Sequence, residues 1–392
     1  MIYRTFKDLQ LSNLGFGAMR LPTLADGSID EAQTEEMIRY AMDHGVNYFD
    51  TAYPYHGGMS EVVLGRILNQ YPRDSFYLAD KYPGHQLAST YDPAAVFEDQ
   101  LKKCGVEYFD FYLLHDVFEK SIDVYLDPKW GIIDYFVEQK RLGRIRHLGF
   151  SAHGGPDTLR AFLDAAGEHM EFCQIQLNYM DWTLQDAKAK CALLAERNIP
   201  LWVMEPVRGG KLAKLSETNE ARLRALRPEE STAAWGFRWL QTVPDTTMVL
   251  SGMSNMEQMV DNVKTYSDER PLSEEETKLL YDIADEMMDA IPCTACRYCC
   301  DGCPAGLDIP ALLSLYNDTR VSVSVVISQR MSGFDKDKWP SACIGCGACE
   351  AICPQGLKIP QLLHDFDKAL EQVPDWEAIC REREEAAKRA KG

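Results

Sequence analysis

From residue 13 to about residue 265, short apolar runs alternate with longer stretches whose apolar residues recur at helical spacing. The runs Asn13–Met19, Tyr48–Ala52, Phe76–Lys81, Asp110–His115, His147–Ser151, Phe172–Asn178, Leu201–Pro206 and Met248–Met253 read as buried strands. Eight strands with helices between them, in about 250 residues, predict an α/β fold of the (β/α)8 TIM-barrel class. A doubly wound sheet would show the same alternation. No Gly-x-Gly-x-x-Gly follows the first strand, however, so a dinucleotide-binding sheet of that kind loses its main support. In a barrel, function collects at the carboxyl ends of the strands.

The pattern then changes. Ser273-x-x-Glu276 is a capping box opening a helix predicted to run to about Ala290, and Pro292 starts a segment dominated by cysteine. After Pro374 the charges alternate, which predicts a solvated helix fraying at its end. These breaks divide the chain into a barrel over residues 1–285, a small, mainly helical cysteine-rich domain over 286–375 and a charged tail over 376–392.

Eight of the 13 cysteines form two copies of one pattern, Cys293-x2-Cys296-x2-Cys299-x3-Cys303-Pro304 and Cys343-x2-Cys346-x2-Cys349-x3-Cys353-Pro354. Three thiolates at i, i+3 and i+6 can grip three corners of an iron–sulfur cube, while the fourth comes from elsewhere; in two-cluster ferredoxins it comes from the other motif. The spacing therefore predicts two 4Fe–4S clusters. One falls to Cys293, Cys296, Cys299 and Cys353, the other to Cys343, Cys346, Cys349 and Cys303. Structural zinc would leave the third and fourth cysteines of each run unexplained, and disulfide frameworks belong to short secreted chains. The repeat continues into Cys303-Pro-Ala-Gly-Leu-Asp-Ile-Pro and Cys353-Pro-Gln-Gly-Leu-Lys-Ile-Pro, with Pro310 and Pro360 each suited to a first helical turn. Gly345 and Gly347 free the second loop to wrap a cluster, whereas the first has Thr294, Ala295, Arg297 and Tyr298 there. Cys300 leaves Cys296-x3-Cys300-x2-Cys303 as an alternative ligand choice.

Composition excludes several classes of partner. A net charge of −19 repels nucleic acid and anionic membrane surfaces, and runs such as Leu201–Met204 are too short to span a bilayer. The start, Met-Ile-Tyr-Arg-Thr-Phe, has no signal-peptide apolar core, and thiols kept for clusters imply a reducing interior, so the expected location is the cytoplasm.

Four polar residues stand at or just past strand ends: Asp50 and Tyr55 after the second strand, Lys81 after the third and His115 after the fourth. Singly, each is weak evidence, because strand-end histidines and charges are commonly structural. Together they make a proton-donating set: a phenol, a cation to lower its pKa, a carboxylate to hold the cation and an imidazole in the same mouth.

The segments Phe49-Asp50-Thr51-Ala52-Tyr53-Pro54-Tyr55-His56-Gly57-Gly58-Met59-Ser60-Glu61, Ala79-Asp80-Lys81, Asp110-Phe111-Tyr112-Leu113-Leu114-His115 and Leu148-Gly149-Phe150-Ser151 resemble the aldo-keto reductases over about residues 1–265. The whole chain resembles the branch with a C-terminal ferredoxin-type domain. The resemblance implies Tyr55 as general acid/base, Lys81 and Asp50 tuning it, His115 orienting the carbonyl, and direct hydride transfer from NADPH or NADH to a small carbonyl substrate, or the reverse from an alcohol. It also implies Ser151 and Gln174 at the nicotinamide carboxamide, Arg208, Gly209 and Gly210 in a loop over the pyrophosphate, and Gly252, Gln258 and Asn262 in the last cofactor segment. Met204 stands where many members have an aromatic on the nicotinamide ring. The stretch from Gly252 to Asn262 carries no basic residue for a 2′-phosphate, which makes NADH a candidate beside NADPH. His56, Phe118, Trp130 and Trp182 are expected to line the mouth. Three roles are open for the clusters: exchanging electrons with a redox partner protein, serving a bound flavin, or stabilising the C-terminal fold. Two rival readings keep the same residues: an electron-transfer protein whose barrel no longer turns over, and a redox-neutral epimerase.

Overall fold

A computed structural model describes residues 1–86, 88–287 and 291–391, with side chains up to Glu385. It divides into two compact units: Met1–Val117 with Ser121–Leu279, and Phe118–Lys120 with the chain from Leu280 onward.

In the first unit, a closed parallel barrel is formed by β3 to β10, after a hairpin of β1 (Tyr3–Phe6) and β2 (Leu9–Ser12). The barrel strands are β3 (Leu14–Gly17), β4 (Tyr48–Asp50), β5 (Tyr77–Tyr82), β6 (Phe109–Val117), β7 (Ile145–Ala152), β8 (Cys173–Gln176), β9 (Leu201–Met204) and β10 (Thr246–Ser251). Each pairs with its neighbour in sequence, and β10 closes on β3. All eight lie within or overlap the expected apolar runs. The hairpin is an element that the helix–strand alternation does not announce. Its Phe6 ring packs edge-on against Trp202 at 5.1 Å and tilted against Phe111 at 5.6 Å, so it plugs the amino-terminal end of the barrel and leaves the carboxyl end for chemistry.

The helix Met59–Leu68 follows the Tyr55 loop and packs on the helix Pro93–Cys104. Between them lies a buried polar network. Gln100 donates through Nε2 to Glu61 Oε1 at 3.1 Å and to the Lys81 carbonyl at 3.0 Å, and Lys103 bridges Glu61 Oε2 at 3.0 Å. This network fixes the backbone of β5 at Lys81.

The second unit repeats itself. Short helices Tyr298–Asp301 and Ala348–Ile352 carry cysteines of the two motifs, and each is followed by a longer helix, Ile309–Val321 or Ile359–Leu370, opened by its proline. Leu312, Leu313, Leu363 and Phe366 form the apolar seam between the copies, and the Tyr316 ring stacks on Phe366 at 5.2 Å. The capping box forms both of its bonds, Ser273 N–H to Glu276 Oε2 at 2.8 Å and Glu276 N–H to Ser273 Oγ at 3.2 Å, at the head of the helix Glu274–Met287. The end expected near Ala290 lies outside the described residues. The last helix, Trp376–Lys391, buries Trp376 and Cys380 rather than standing wholly in solvent. Among the described residues no helix is long and apolar enough to cross a membrane.

One glycine tests the helix packing that supports Lys81. A Cβ on Gly65 would fall 2.5 Å from the Cys104 Cα. Helix propensity alone favours Gly65→Ala by about 1 kcal/mol, whereas overpacking costs about 1–3 kcal/mol. The variant is expected to melt at a lower temperature than the parent, as thermal unfolding would show.

Candidate active site and cluster cavities

β4 and β5 are adjacent and in register, which brings Asp50 and Lys81 together at the barrel mouth. Lys81 Nζ lies 2.5 Å from Asp50 Oδ1 and donates to the Thr51 carbonyl at 2.7 Å, with both side chains buried. The same ammonium sits 5.0 Å from the centre of the Tyr55 ring, and the Tyr55 ring meets His115 edge-on at 5.9 Å. The four residues expected at strand ends thus converge on one place. His85 joins them, its ring 4.3 Å from that of His115 and its Nδ1 2.7 Å from the His115 carbonyl, to which Tyr125 also donates.

Burial pulls the Lys81 ammonium down, but the Asp50 carboxylate and the Tyr55 oxygen outweigh it, leaving the lysine above its ordinary pKa and charged. Burial also raises Asp50, against the pull of Lys81. The half-buried Tyr55 departs from expectation. Loss of water raises its pKa more than Lys81 lowers it, so the phenol stays protonated beyond its ordinary range. The ammonium moderates the rise rather than reversing it.

Along the same rim, Ser151 and Gln174 are opposite each other on β7 and β8. Ser151 Oγ and Gln174 Oε1 are buried without a hydrogen-bond partner. A hydroxyl that can donate beside an amide oxygen that can accept matches the C=O and NH2 of a carboxamide. Met204 ends β9 next to them, half-buried. Gly209 and Gly210 follow with φ of +63° and +94°, conformations that favour glycine, and both are exposed. Arg208 turns inward instead. Its Nη1 lies 2.5 Å from Asp181 Oδ1, an ion pair buried with Gln176 and Asn178, which also donate to Asp181. In the last segment Asn262 is buried and donates to Ser251 Oγ at 2.8 Å, while the exposed Gln258 accepts the Ser254 N–H at 2.8 Å and Gly252 is open to solvent.

Sequence reasoning missed Arg20. It ends the short turn Ala18–Arg20 after β3, donates to Glu205 Oε1 at 3.0 Å, and its side chain runs beside Gly252 and Gly209. A cation one turn past a strand end was the available signal. Of the aromatics expected at the mouth, His56 accepts the Leu21 N–H at 3.2 Å, Trp130 packs edge-on against Tyr91 and Trp182 against Trp239. Phe118 is fully buried and groups with the second unit, which removes it from that role.

Two narrow cavities of about 10 and 20 Å³ occupy the second unit. Cys293, Cys296, Cys299 and Cys353 line the first; Cys303, Cys343, Cys346 and Cys349 line the second. Each cavity thus draws three thiols from one motif and one from the other, and Cys300 is in neither lining. Apolar side chains complete both walls, Leu313 and Ile359 in the first, Leu307 and Leu363 in the second. Among the described residues no three His, Cys, Asp or Glu side chains form a group suited to a single metal ion. The donor set fits a multi-iron group with soft thiolate ligands.

With this geometry the comparisons agree. The model of the Aldo/keto reductase family matches residues 13–285, and that of a 4Fe-4S dicluster domain matches residues 292–357. The chain belongs to the aldo/keto reductase family and is an oxidoreductase of that family followed by a dicluster domain. A probable aldo-keto reductase of Glycine max is 27% identical over 209 residues, covering 51% of this chain and 57% of that protein. The NADH-specific methylglyoxal reductase of Escherichia coli is 23% identical, over 71% of this chain and 97% of that one. An aldo-keto reductase of Bacillus halodurans, solved in its holo form, is 25% identical with a TM-score of 0.59, over 72% of this chain and 96% of that one.

The buried ion pair gives the site its own test. Lys81→Met would strand the Asp50 carboxylate in the barrel, and stability is expected to fall by about 3–5 kcal/mol. Adding Asp50→Asn removes the stranded charge and should recover part of the loss. Anaerobic urea unfolding of the two single variants and the double variant measures this, and strictly additive losses would mean that the pair does not interact.

Proposed function

We propose that the barrel mouth transfers hydride between a nicotinamide dinucleotide and a small carbonyl or alcohol, with Tyr55 as the proton donor to the carbonyl oxygen. The observation that carries this reading is the buried Lys81 ammonium, fixed by Asp50 and set 5.0 Å from the Tyr55 ring. When bound, the reduced nicotinamide supplies the hydride. Ser151 and Gln174 would hold its carboxamide, and Met204 would offer its thioether to the nicotinamide. Gly209 and Gly210 offer backbone to the pyrophosphate. With Arg208 committed to Asp181, Arg20 is the cation beside Gly209 and Gly252. Both NADH and NADPH remain candidates, since the Gly252–Asn262 stretch itself has no cation and Arg20 is shared with Glu205. Gln258 and Asn262 close the adenosine end.

In reduction, Tyr55 gives its proton to the oxygen as the carbonyl carbon accepts hydride. Lys81 stabilises the phenolate left behind, and Asp50 keeps Lys81 in place and charged. His115, edge-on to Tyr55, orients the carbonyl oxygen. The eight cysteines that line the two cavities would hold two 4Fe–4S clusters, one in each, and such thiolates would need a reducing compartment such as the cytoplasm. The clusters pass single electrons, so their exchange is with a redox partner protein rather than with the hydride. That all four acid/base residues stand together weighs against a barrel that has lost turnover.

Tyr55→Phe tests the reading. It removes the proton and leaves the shape, so turnover of small aldehydes and ketones, methylglyoxal among them, should fall by about 10²–10⁴-fold with cofactor affinity nearly unchanged. The sign of the pH dependence follows from the raised phenol. The donor form is present below the folded pKa and lost above it, so reduction should stay level through neutral pH and decline only on the alkaline side of the ordinary tyrosine range. Near-parental turnover by the variant would contradict the assignment.

A further inference from the structure

The two cavities come from one repeated segment, yet among the described residues only the first has a charged side chain in its lining. Arg297 follows Cys296 in the first ligand loop, with φ +65°, and the matching residue of the second loop is Gly347, with φ +75°. Ala295 and Gly345 match in the same way, at +53° and +68°. The left-handed conformation suits glycine and is disfavoured for any residue with a Cβ, so the first loop keeps an arginine where its own repeat shows that glycine serves. Arg297 lines the first cavity, and among the described lining residues of both cavities it is the one charged side chain. Its guanidinium is held by Asp308, with two contacts of 3.1 Å. In the second copy Lys358 stands where Asp308 stands in the first and pairs with Glu350, and neither of them lines the second cavity.

A 4Fe–4S cluster gains one negative charge on reduction, and nearby net charge is among the factors that set its potential. A cation at the wall stabilises the reduced form; an anion opposes it. Resting on the reading that each cavity holds such a cluster, we propose that Arg297 gives the cluster of Cys293, Cys296, Cys299 and Cys353 the higher reduction potential of the two. An electron placed on either cluster then comes to rest on the first. In that exchange one electron leaves the cluster of Cys303, Cys343, Cys346 and Cys349 and enters the other; no bond forms or breaks and no proton moves. Arg297 is a tuning residue, acting through its field.

The test is a reductive titration of the full chain, purified anaerobically and followed by electron paramagnetic resonance, with dithionite as the electron source. The parent should contain about eight iron and eight acid-labile sulfides and show two one-electron midpoints. Cys346→Ser, which disables the second site, should leave the higher midpoint in place. In Arg297→Gly the higher midpoint alone should fall by at least about tenfold in the one-electron equilibrium, about 59 mV, while Arg297→Lys should keep it. Because the Arg297 side chain is 60% exposed, the shift should shrink as salt is added, which a purely structural effect would not do. A fully iron-loaded Arg297→Gly with both midpoints unchanged, or with only the lower one moved, would overturn the inference and leave the two-cluster reading standing. A parent with about four iron, or none, would overturn both.

Discussion

The barrel mouth depends on one buried ion pair. Two opposite charges out of water are costly unless each is closely partnered, and here Lys81 Nζ meets Asp50 Oδ1 at 2.5 Å and the Thr51 carbonyl at 2.7 Å. Held on neighbouring strands, the pair has little freedom to move apart. Its ammonium lies beside Tyr55, whose phenol is raised by burial first and by the Asp50 and Glu205 carboxylates after it. On the proposed function, a protonated tyrosine beside a fixed cation would release its proton as negative charge develops on the substrate oxygen. The support extends outward through Gln100, which ties the Lys81 carbonyl to Glu61 and so to Lys103. A displacement in the helix pair behind β5 therefore reaches the Lys81 ammonium through a short hydrogen-bonded path.

The second unit solves a different problem, that of a small domain with limited apolar core. Its two copies share one seam, with Leu312 and Leu313 facing Leu363 and Phe366, and each cavity is walled by thiols from both copies. Two bound clusters would thus cross-link the copies twice, and their binding energy would become folding energy. The same symmetry exposes what is not repeated. Arg297 and Ala295 occupy the backbone conformations of Gly347 and Gly345, and Arg297 alone brings charge to a cavity lining among the described residues.

Much of this was legible in the chain because it is local. Eight apolar runs separated by helical stretches placed every barrel strand, Ser273-x-x-Glu276 formed its capping box, and the cysteine spacing grouped the thiols as the cavities do. What escaped depends on distant partners. The hairpin Tyr3–Phe6 and Leu9–Ser12 is too short for a strong pattern and is stabilised by Phe6 reaching Trp202 and Phe111. Arg208 reads as a phosphate ligand from its glycine-rich loop, yet Asp181, 27 residues earlier, draws it into the interior. Arg20 belongs to no motif, and only the fold brings its side chain beside Gly209 and Gly252. The direction of the Tyr55 shift needs the balance of burial against Lys81, and burial is a property of the folded mouth.

The central claim is that the barrel moves hydride directly and that the clusters lie off that path. Reduced nicotinamide carrying deuterium at C4, mixed with methylglyoxal or another accepted carbonyl in a single turnover, tests it most directly in both the parent and a folded Cys346→Ser variant. The account predicts one deuterium on the product carbon per cofactor oxidised, in both proteins alike. Product carrying solvent hydrogen in place of the label, or turnover lost with the second cluster while the barrel stays folded, would mean that electrons travel singly through the iron–sulfur unit and would contradict the account.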